Sequence, residues 1–174
     1  MSFVAISHQL SAASRNCHRP DTDVAEELFQ LGLAHLNADA LPTAGPLGVA
    51  CLKRAAALGH AGAHFELGEA YRFGREVDED MDTAWAYYLF AATHGHAEAA
   101  MTLGVLYETG RGLPQSLVLA HAFYSLARDN GDPRAADLLT ELEQYMTAEE
   151  IAEAREFSRR RQLQGLFAFP KRHL

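Results

Sequence analysis

Residues 59–74 read GHAGAHFELGEAYRFG, and residues 95–113 read GHAEAAMTLGVLYETGRGL. The two stretches start 36 residues apart and align Gly-His-Ala with Gly-His-Ala, Leu67-Gly68 with Leu103-Gly104, Tyr71 with Tyr107 and Gly74 with Gly110. The same offset extends outward along the chain. Leu31, Leu67, Leu103 and Leu139 coincide, and Gly32, Gly68 and Gly104 follow the first three. Gly59, Gly95 and Gly131 coincide, as do Ala55, Ala91 and Ala127, and Tyr88 matches Tyr124. Several identical triples at one spacing make an internal repeat, which has to be recognised before any other feature is interpreted.

Each unit reads as two helices. Ala63, Leu67, Ala70, Tyr71 and Gly74 fall at i, i+4, i+7, i+8 and i+11, one stripe of a helix. Gly74 and Gly110 suit the left-handed residue that ends a helix. A second helix is expected from about Asp80 to His94, with Asp80 as its cap and Gly95 as its stop. Pro114 and Ser116 start the matching helix of the third unit. Asp132-Pro133 reads as a cap followed by proline at the first helical position. Thr147-Ala148-Glu149-Glu150 reads as a capping box. Nothing in this pattern alternates with period two, so no sheet is expected.

These features specify an all-α chain, an α/α solenoid of about three and a half helix-turn-helix repeats with period 36 in a right-handed superhelix. The units fall near 24–59, 60–95, 96–131 and 132–161 within a domain at 23–161. A segment at 1–22, expected to be partly mobile or a short capping helix, precedes it, and a basic and aromatic tail at 162–174 follows. Small residues at recurring sites let helices approach closely, while Leu31, Leu67, Leu103, Leu139, Tyr71 and Tyr107 fill the gaps between them.

The stretches quoted above, with the closures Ala55-Ala56-Ala57-Leu58-Gly59-His60 and Ala91-Ala92-Thr93-His94-Gly95-His96, resemble the Sel-one-like repeat, a relative of the tetratricopeptide repeat. The resemblance covers residues 24–131 well and 132–161 loosely. It departs at residues 36–42, where a Gly-x-Gly loop belongs, at His35 in the tyrosine position, and at Glu76 in a loop-glycine position. The fourth unit lacks the Leu-Gly glycine and the tyrosine and looks like a polar cap. The resemblance implies a scaffold that binds other proteins on a concave surface.

Composition agrees with a soluble globular chain: 48% apolar, 22% charged, net charge −8 over 174 residues. Residues 21–154 hold 22 acids against 7 bases, whereas residues 155–174 hold 6 bases and 1 acid. An acidic body argues against nucleic acid and favours a protein partner with a basic patch. No apolar run reaches the roughly 20 residues of a membrane span. The N-terminus carries no basic-then-apolar leader, and Cys17 and Cys51 sit in no disulfide or metal pattern, so a cytoplasmic location is expected.

No nucleophile elbow, P-loop or dinucleotide fingerprint occurs, so no catalytic residue, cofactor or enzyme activity is assigned. His60 and His64 stand at i, i+4, with His94 and His96 at the next turn. They are the weak metal candidates, but their repeat positions favour turn and cap roles. The acidic run at 78–82 lacks the glycine and distant glutamate of a calcium loop. For a protein-docking face, the first helices offer Gln30, Leu33, Glu66, Glu69, Phe73, Thr102, Val105 and Thr109, outside the packing stripe. In the tail, Leu166, Phe167 and Phe169 are expected to seal the open end of the solenoid or to meet a second chain as a homodimer. The function expected is a non-catalytic adaptor or regulatory protein. The alternative is an immunity or inhibitor protein that covers a toxin or enzyme.

Overall fold

The computed structural model describes residues 21–37 and 44–164. The expectations for the segment at 1–20, for the loop at 38–43 and for the tail residues Leu166, Phe167 and Phe169 lie outside the described residues. Eight helices are described and no strand: α1 Asp21–Leu36, α2 Ala44–Ala57, α3 Ala61–Phe73, α4 Met81–Thr93, α5 Ala97–Thr109, α6 Leu117–Asp129, α7 Ala135–Glu143 and α8 Ala148–Gln164. They pair as helix-turn-helix repeats of 36 residues. The chain divides into two compact units, one up to Ala63 and one from His64 onward.

In the first unit α1 packs on α2. A Cβ on Gly32 would lie 2.8 Å from Leu52, and one on Gly48 would lie 2.9 Å from the Gly32 carbonyl oxygen. The two backbones therefore meet where both helices lack a side chain. Leu52 and Ala55 are fully buried there. Leu31 departs from its expected role. It is 48% exposed, whereas Leu67 and Leu103 are fully buried and Leu139 is 6% exposed. A repeat period fixes a residue's place within its own helix pair and not what lies against that pair.

The second unit repeats the same close approach with rings. A Cβ on Gly68 would lie 2.7 Å from the Tyr88 ring, and one on Gly104 would lie 2.4 Å from the Tyr124 ring. Both tyrosines are at most 1% exposed. Tyr71 stacks with Tyr87 at 5.6 Å between centroids, and 36 residues on Tyr107 stacks with Phe123 at 5.5 Å. Ala84, Ala91, Ala99, Ala120 and Ala135 fill the remaining close contacts of a core that runs to Ala154.

Capping follows the sequence at Asp80, Ser116 and Thr147. Asp80 accepts from the N–H groups of Asp82 and Thr83, and its carboxylate also takes the Thr83 hydroxyl at 2.6 Å. Ser116 accepts from Leu119 N–H. Thr147 and Glu150 make the reciprocal pair of a capping box, at 2.8 and 3.2 Å. The cap expected at Asp132-Pro133 is displaced: α7 starts at Ala135 with Arg134 in the N-cap position and no side-chain cap, because the Asp132 carboxylate is taken up by the Arg134 N–H at 2.9 Å and by its guanidinium. The basic run at 155–161 lies on α8, which continues to Gln164, past the expected end of the domain.

Glycine ends the first helices as expected, with Gly74 at φ +62° and Gly110 at +68°. The next loop position shows what the missing glycine costs. Gly112 has φ +74°, and Glu76, its equivalent, is held at +60°. An L-residue in this region costs about 1–2 kcal/mol. Glu76→Gly should relieve that strain and, after the larger entropy loss of glycine, raise unfolding free energy by up to about 1 kcal/mol. Gly104→Ala should act in the opposite sense. Its methyl would strike a ring that has nowhere to move, for a loss of about 1–3 kcal/mol. Urea midpoints of the two variants against wild type check both signs.

Candidate functional site

Side chains of α3, of α5 and of the turn before α7 meet at one surface. A groove of about 200 Å³ runs there, lined by Arg72, Glu98, Met101, Thr102, Val105 and Arg134. Thr102 and Val105 were expected at such a surface, and Val105 is 40% exposed. Arg72, Glu98, Met101 and Arg134 were not anticipated. Their signal was available, since Glu98, Met101, Thr102 and Val105 fall at i, i+3, i+4 and i+7 on one helix face.

Phe73 ends α3 and is 57% exposed. The Arg72 guanidinium lies 4.8 Å from its ring centroid and that of Arg75 lies 5.6 Å away. The two cations hold the ring against the helix end by cation–π attraction. Arg72 thereby links the exposed ring to the groove it lines. Thr109 is exposed and donates its hydroxyl hydrogen to the Val105 carbonyl at 2.7 Å.

Glu66 and Glu69 behave differently from each other. Glu66 is half-buried, and burial raises its carboxyl above the usual carboxylate range. Arg75 opposes that rise, while Glu69 and Glu98 add to it. Glu69 was expected to face a partner, but it is used internally. It accepts the hydroxyl of buried Tyr88 and has Arg75 at 3.6 Å and Arg72 at 3.8 Å. Burying a ring with a polar tip requires an acceptor for that tip. Glu108 serves Tyr124 in the same way. Burial and these carboxylate bonds raise both phenols well above the ordinary tyrosine range.

In the first unit, Gln30 donates to Glu26 at 2.8 Å and Leu33 is half-buried. The four histidines are spread among separate contacts. His60 stacks on Phe29 at 4.4 Å, accepts from Ala63 N–H through Nδ1 at 3.1 Å, and pairs with Glu26 through Nε2 at 2.9 Å. His96 stacks on Phe65 at 4.7 Å and accepts from Ala99 N–H at 3.2 Å. His64 and His94 each stack on Phe90 at 3.8 Å. Among the described residues, no three His, Cys, Asp or Glu side chains group as metal ligands.

A second concavity, of about 500 Å³, opens among α6, α7 and α8. His121 is 3% exposed and its Nε2 meets Glu143 Oε1 at 2.9 Å. Arg155 donates to the same carboxylate at 3.0 Å. The His121 hydrogen bond, helped by Arg155, holds Glu143 below the usual carboxylate range.

Glu66 and Glu143 give opposite pH dependence. A depressed carboxyl contributes stability that is complete above its unfolded value and is lost as pH falls through its folded value. A raised carboxyl opposes folding at neutral pH and stops doing so as pH falls through its folded value. Glu143→Gln should therefore lower the urea midpoint at pH 7, with the deficit closing in acid. Glu66→Gln should raise the midpoint at pH 7, with the gain closing in acid. Midpoints measured from neutral to acidic pH for both variants check the two signs.

Comparison with known proteins agrees with this architecture. No protein in a curated collection matches the chain. A protective antigen of uropathogenic Escherichia coli strains displaying an SLR fold superposes with a TM-score of 0.69 at 24% identity, over 96% of this chain and 37% of that one. The chain thus spans little more than a third of that protein's length. A Sel1 repeat protein from Oxalobacter formigenes gives a TM-score of 0.60 at 31% identity, over 70% of this chain and 91% of that one. Among the described residues, no helix is long and apolar enough to cross a membrane. The Sel1 repeat model matches residues 25–60, 61–96 and 97–132, three consecutive 36-residue windows covering more than half of the sequence. The chain belongs to the Sel1 repeat family.

Proposed function

We propose that this protein is a small non-catalytic adaptor and that the outer faces of α3 and α5 dock a protein partner. Repeats of this family typically mediate protein interactions, which makes a protein the natural ligand class. One observation carries the reading: Phe73 and Val105 are exposed apolar side chains beside a groove that has buried Met101 at its base and Arg72 and Arg134 along it. Aromatic residues, methionine and arginine are the types enriched at the energetic centres of interfaces. A ring already pinned by two guanidinium groups loses little rotamer freedom when a partner covers it.

The carboxylates around the groove set the charge of the partner. Glu66 and Glu98 stand in a body that carries 22 acids against 7 bases over residues 21–154. A partner presenting a basic rim around an apolar centre complements that surface. Its approach would be accelerated by electrostatic steering and slowed by salt.

The test begins with affinity capture on the full chain, identification of the retained protein by mass spectrometry, and measurement of its Kd. Phe73→Ala and Val105→Asp alter exposed positions and should leave the circular dichroism spectrum and urea midpoint near wild type. Each should weaken the partner by about 2 kcal/mol or more, roughly 30-fold, as expected for a central contact. Equal affinity of both variants and wild type would place the docking surface elsewhere.

A further inference from the structure

At the concavity among α6, α7 and α8 the repeat departs from the packing of the junction before it. At the preceding junction Trp85 on α4 donates its indole N–H to the Tyr107 hydroxyl on α5 at 3.0 Å. Thirty-six residues on, the same two positions are His121 and Glu143, paired at 2.9 Å. The substitution continues around that pair. Leu89 becomes Ser125, Ala92 becomes Arg128 and Gly104 becomes Thr140. An apolar junction has been replaced by a polar cleft of about 500 Å³, within the roughly 300–1,000 Å³ span of ligand clefts.

The cleft also gathers guanidinium groups within an otherwise acidic body. Arg128 on α6 and Arg155 and Arg159 on α8 line it, against the carboxylates of Asp129 and Glu143. Each guanidinium is more than half exposed. Each holds one carboxylate of the chain itself: Arg128 with Asp129 at 3.1 Å, Arg155 with Glu143 at 3.0 Å and Arg159 with Glu156 at 2.7 Å. Exposed ion pairs of this kind are worth about 0–1 kcal/mol, so an incoming carboxylate can share or replace them. A guanidinium has five N–H donors in a planar fork that matches a carboxylate. His121 on α6 and Arg155 on α8 both meet the Glu143 carboxylate on α7, which places the three helices around one cleft.

We infer that this cleft is a second binding site, distinct from the α3–α5 surface, and that it takes the carboxylate side chains of an acidic peptide segment from a partner protein. Thr140 and Ser158 support a peptide over a bare anion. Each donates its own hydroxyl hydrogen to its helix, to the carbonyls of Ala136 and Ala154, and presents an oxygen that accepts. Accepting oxygens beside guanidinium donors suit a ligand that has N–H groups as well as carboxylates.

The probe is a fluorescein-labelled tetraglutamate peptide, titrated with the full chain at low ionic strength and followed by anisotropy. Saturable binding is expected, and tetralysine should bind less well to the cleft than tetraglutamate does. Arg155→Gln with Arg159→Gln should weaken tetraglutamate at least tenfold. Arg111→Gln, in the loop after α5, removes the same charge outside the cleft and should change the affinity little. Arg128→Gln is measured in parallel, so a folding defect in the double variant, read by circular dichroism, leaves the other decisive. Absence of saturable tetraglutamate binding overturns the inference, as does unchanged affinity in the folded arginine variants. Competition by inorganic phosphate as effective as that by unlabelled tetraglutamate overturns the peptide assignment.

Discussion

One contact governs the repeat: a glycine on the first helix of a pair lies against a large side chain on the second. A methyl group at Gly104 would come to 2.4 Å from the Tyr124 ring, at Gly68 to 2.7 Å from Tyr88, and at Gly32 to 2.8 Å from Leu52. No side chain other than hydrogen fits, so the interaxial distance is set by the ring and the bare backbone beneath it. The consequence reaches the surface. A tyrosine driven that deep must still satisfy its hydroxyl, so a carboxylate on the first helix is committed to it, Glu69 in one pair and Glu108 in the next. The charge left to face a partner is what remains after that internal demand.

The turns obey a parallel logic, in which histidine does two jobs. His60 and His96 each accept a backbone N–H through Nδ1, as an aspartate would, and each also stacks on an aromatic ring of the preceding repeat's first helix, Phe29 on α1 or Phe65 on α3. Accepting through Nδ1 requires that nitrogen to be unprotonated, which leaves Nε2 as the donor, and His60 directs it to Glu26. His94 uses the opposite tautomer, since its Nδ1 faces the Phe90 carbonyl at 2.8 Å and must donate. At the next turn the ring partner is replaced by Met101 and the histidine by Asp132. Once there is no ring to stack on, a plain carboxylate takes the backbone N–H.

The fold was legible because glycines, alanines and caps recur at one spacing, and those residues answer to local geometry that the sequence carries in full. Burial was less legible where it depends on neighbours. Leu31 shares the repeat position of Leu67 and Leu103 yet stands exposed, because periodicity encodes how a pair packs internally and not what lies against that pair. The proposed docking face was legible in part. Thr102 and Val105 could be placed by helix spacing alone, but the internal use of Glu69 required knowing where the Tyr88 hydroxyl ends. Arg134 reaches the groove from the turn after the third unit, a proximity that no spacing along one helix reveals.

The last junction was legible in a different way, through residues that break the register. An indole–phenol contact between α4 and α5 combines apolar area with one hydrogen bond, whereas His121 and Glu143 at the same positions must desolvate ionisable groups to achieve a similar link. Apolar replacements of such pairs are often neutral or stabilising, so packing alone does not account for a histidine that is 3% exposed there. Nor does solubility, which would be served by polar groups on the outer face. The substitutions instead gather around one cleft, at Ser125, Thr140 and Glu143, and the guanidinium groups of α6 and α8 collect at the same opening. Local rules are broken in native proteins chiefly where function requires it. A repeat makes such a departure measurable, because the unbroken version of each position stands 36 residues upstream in the same chain.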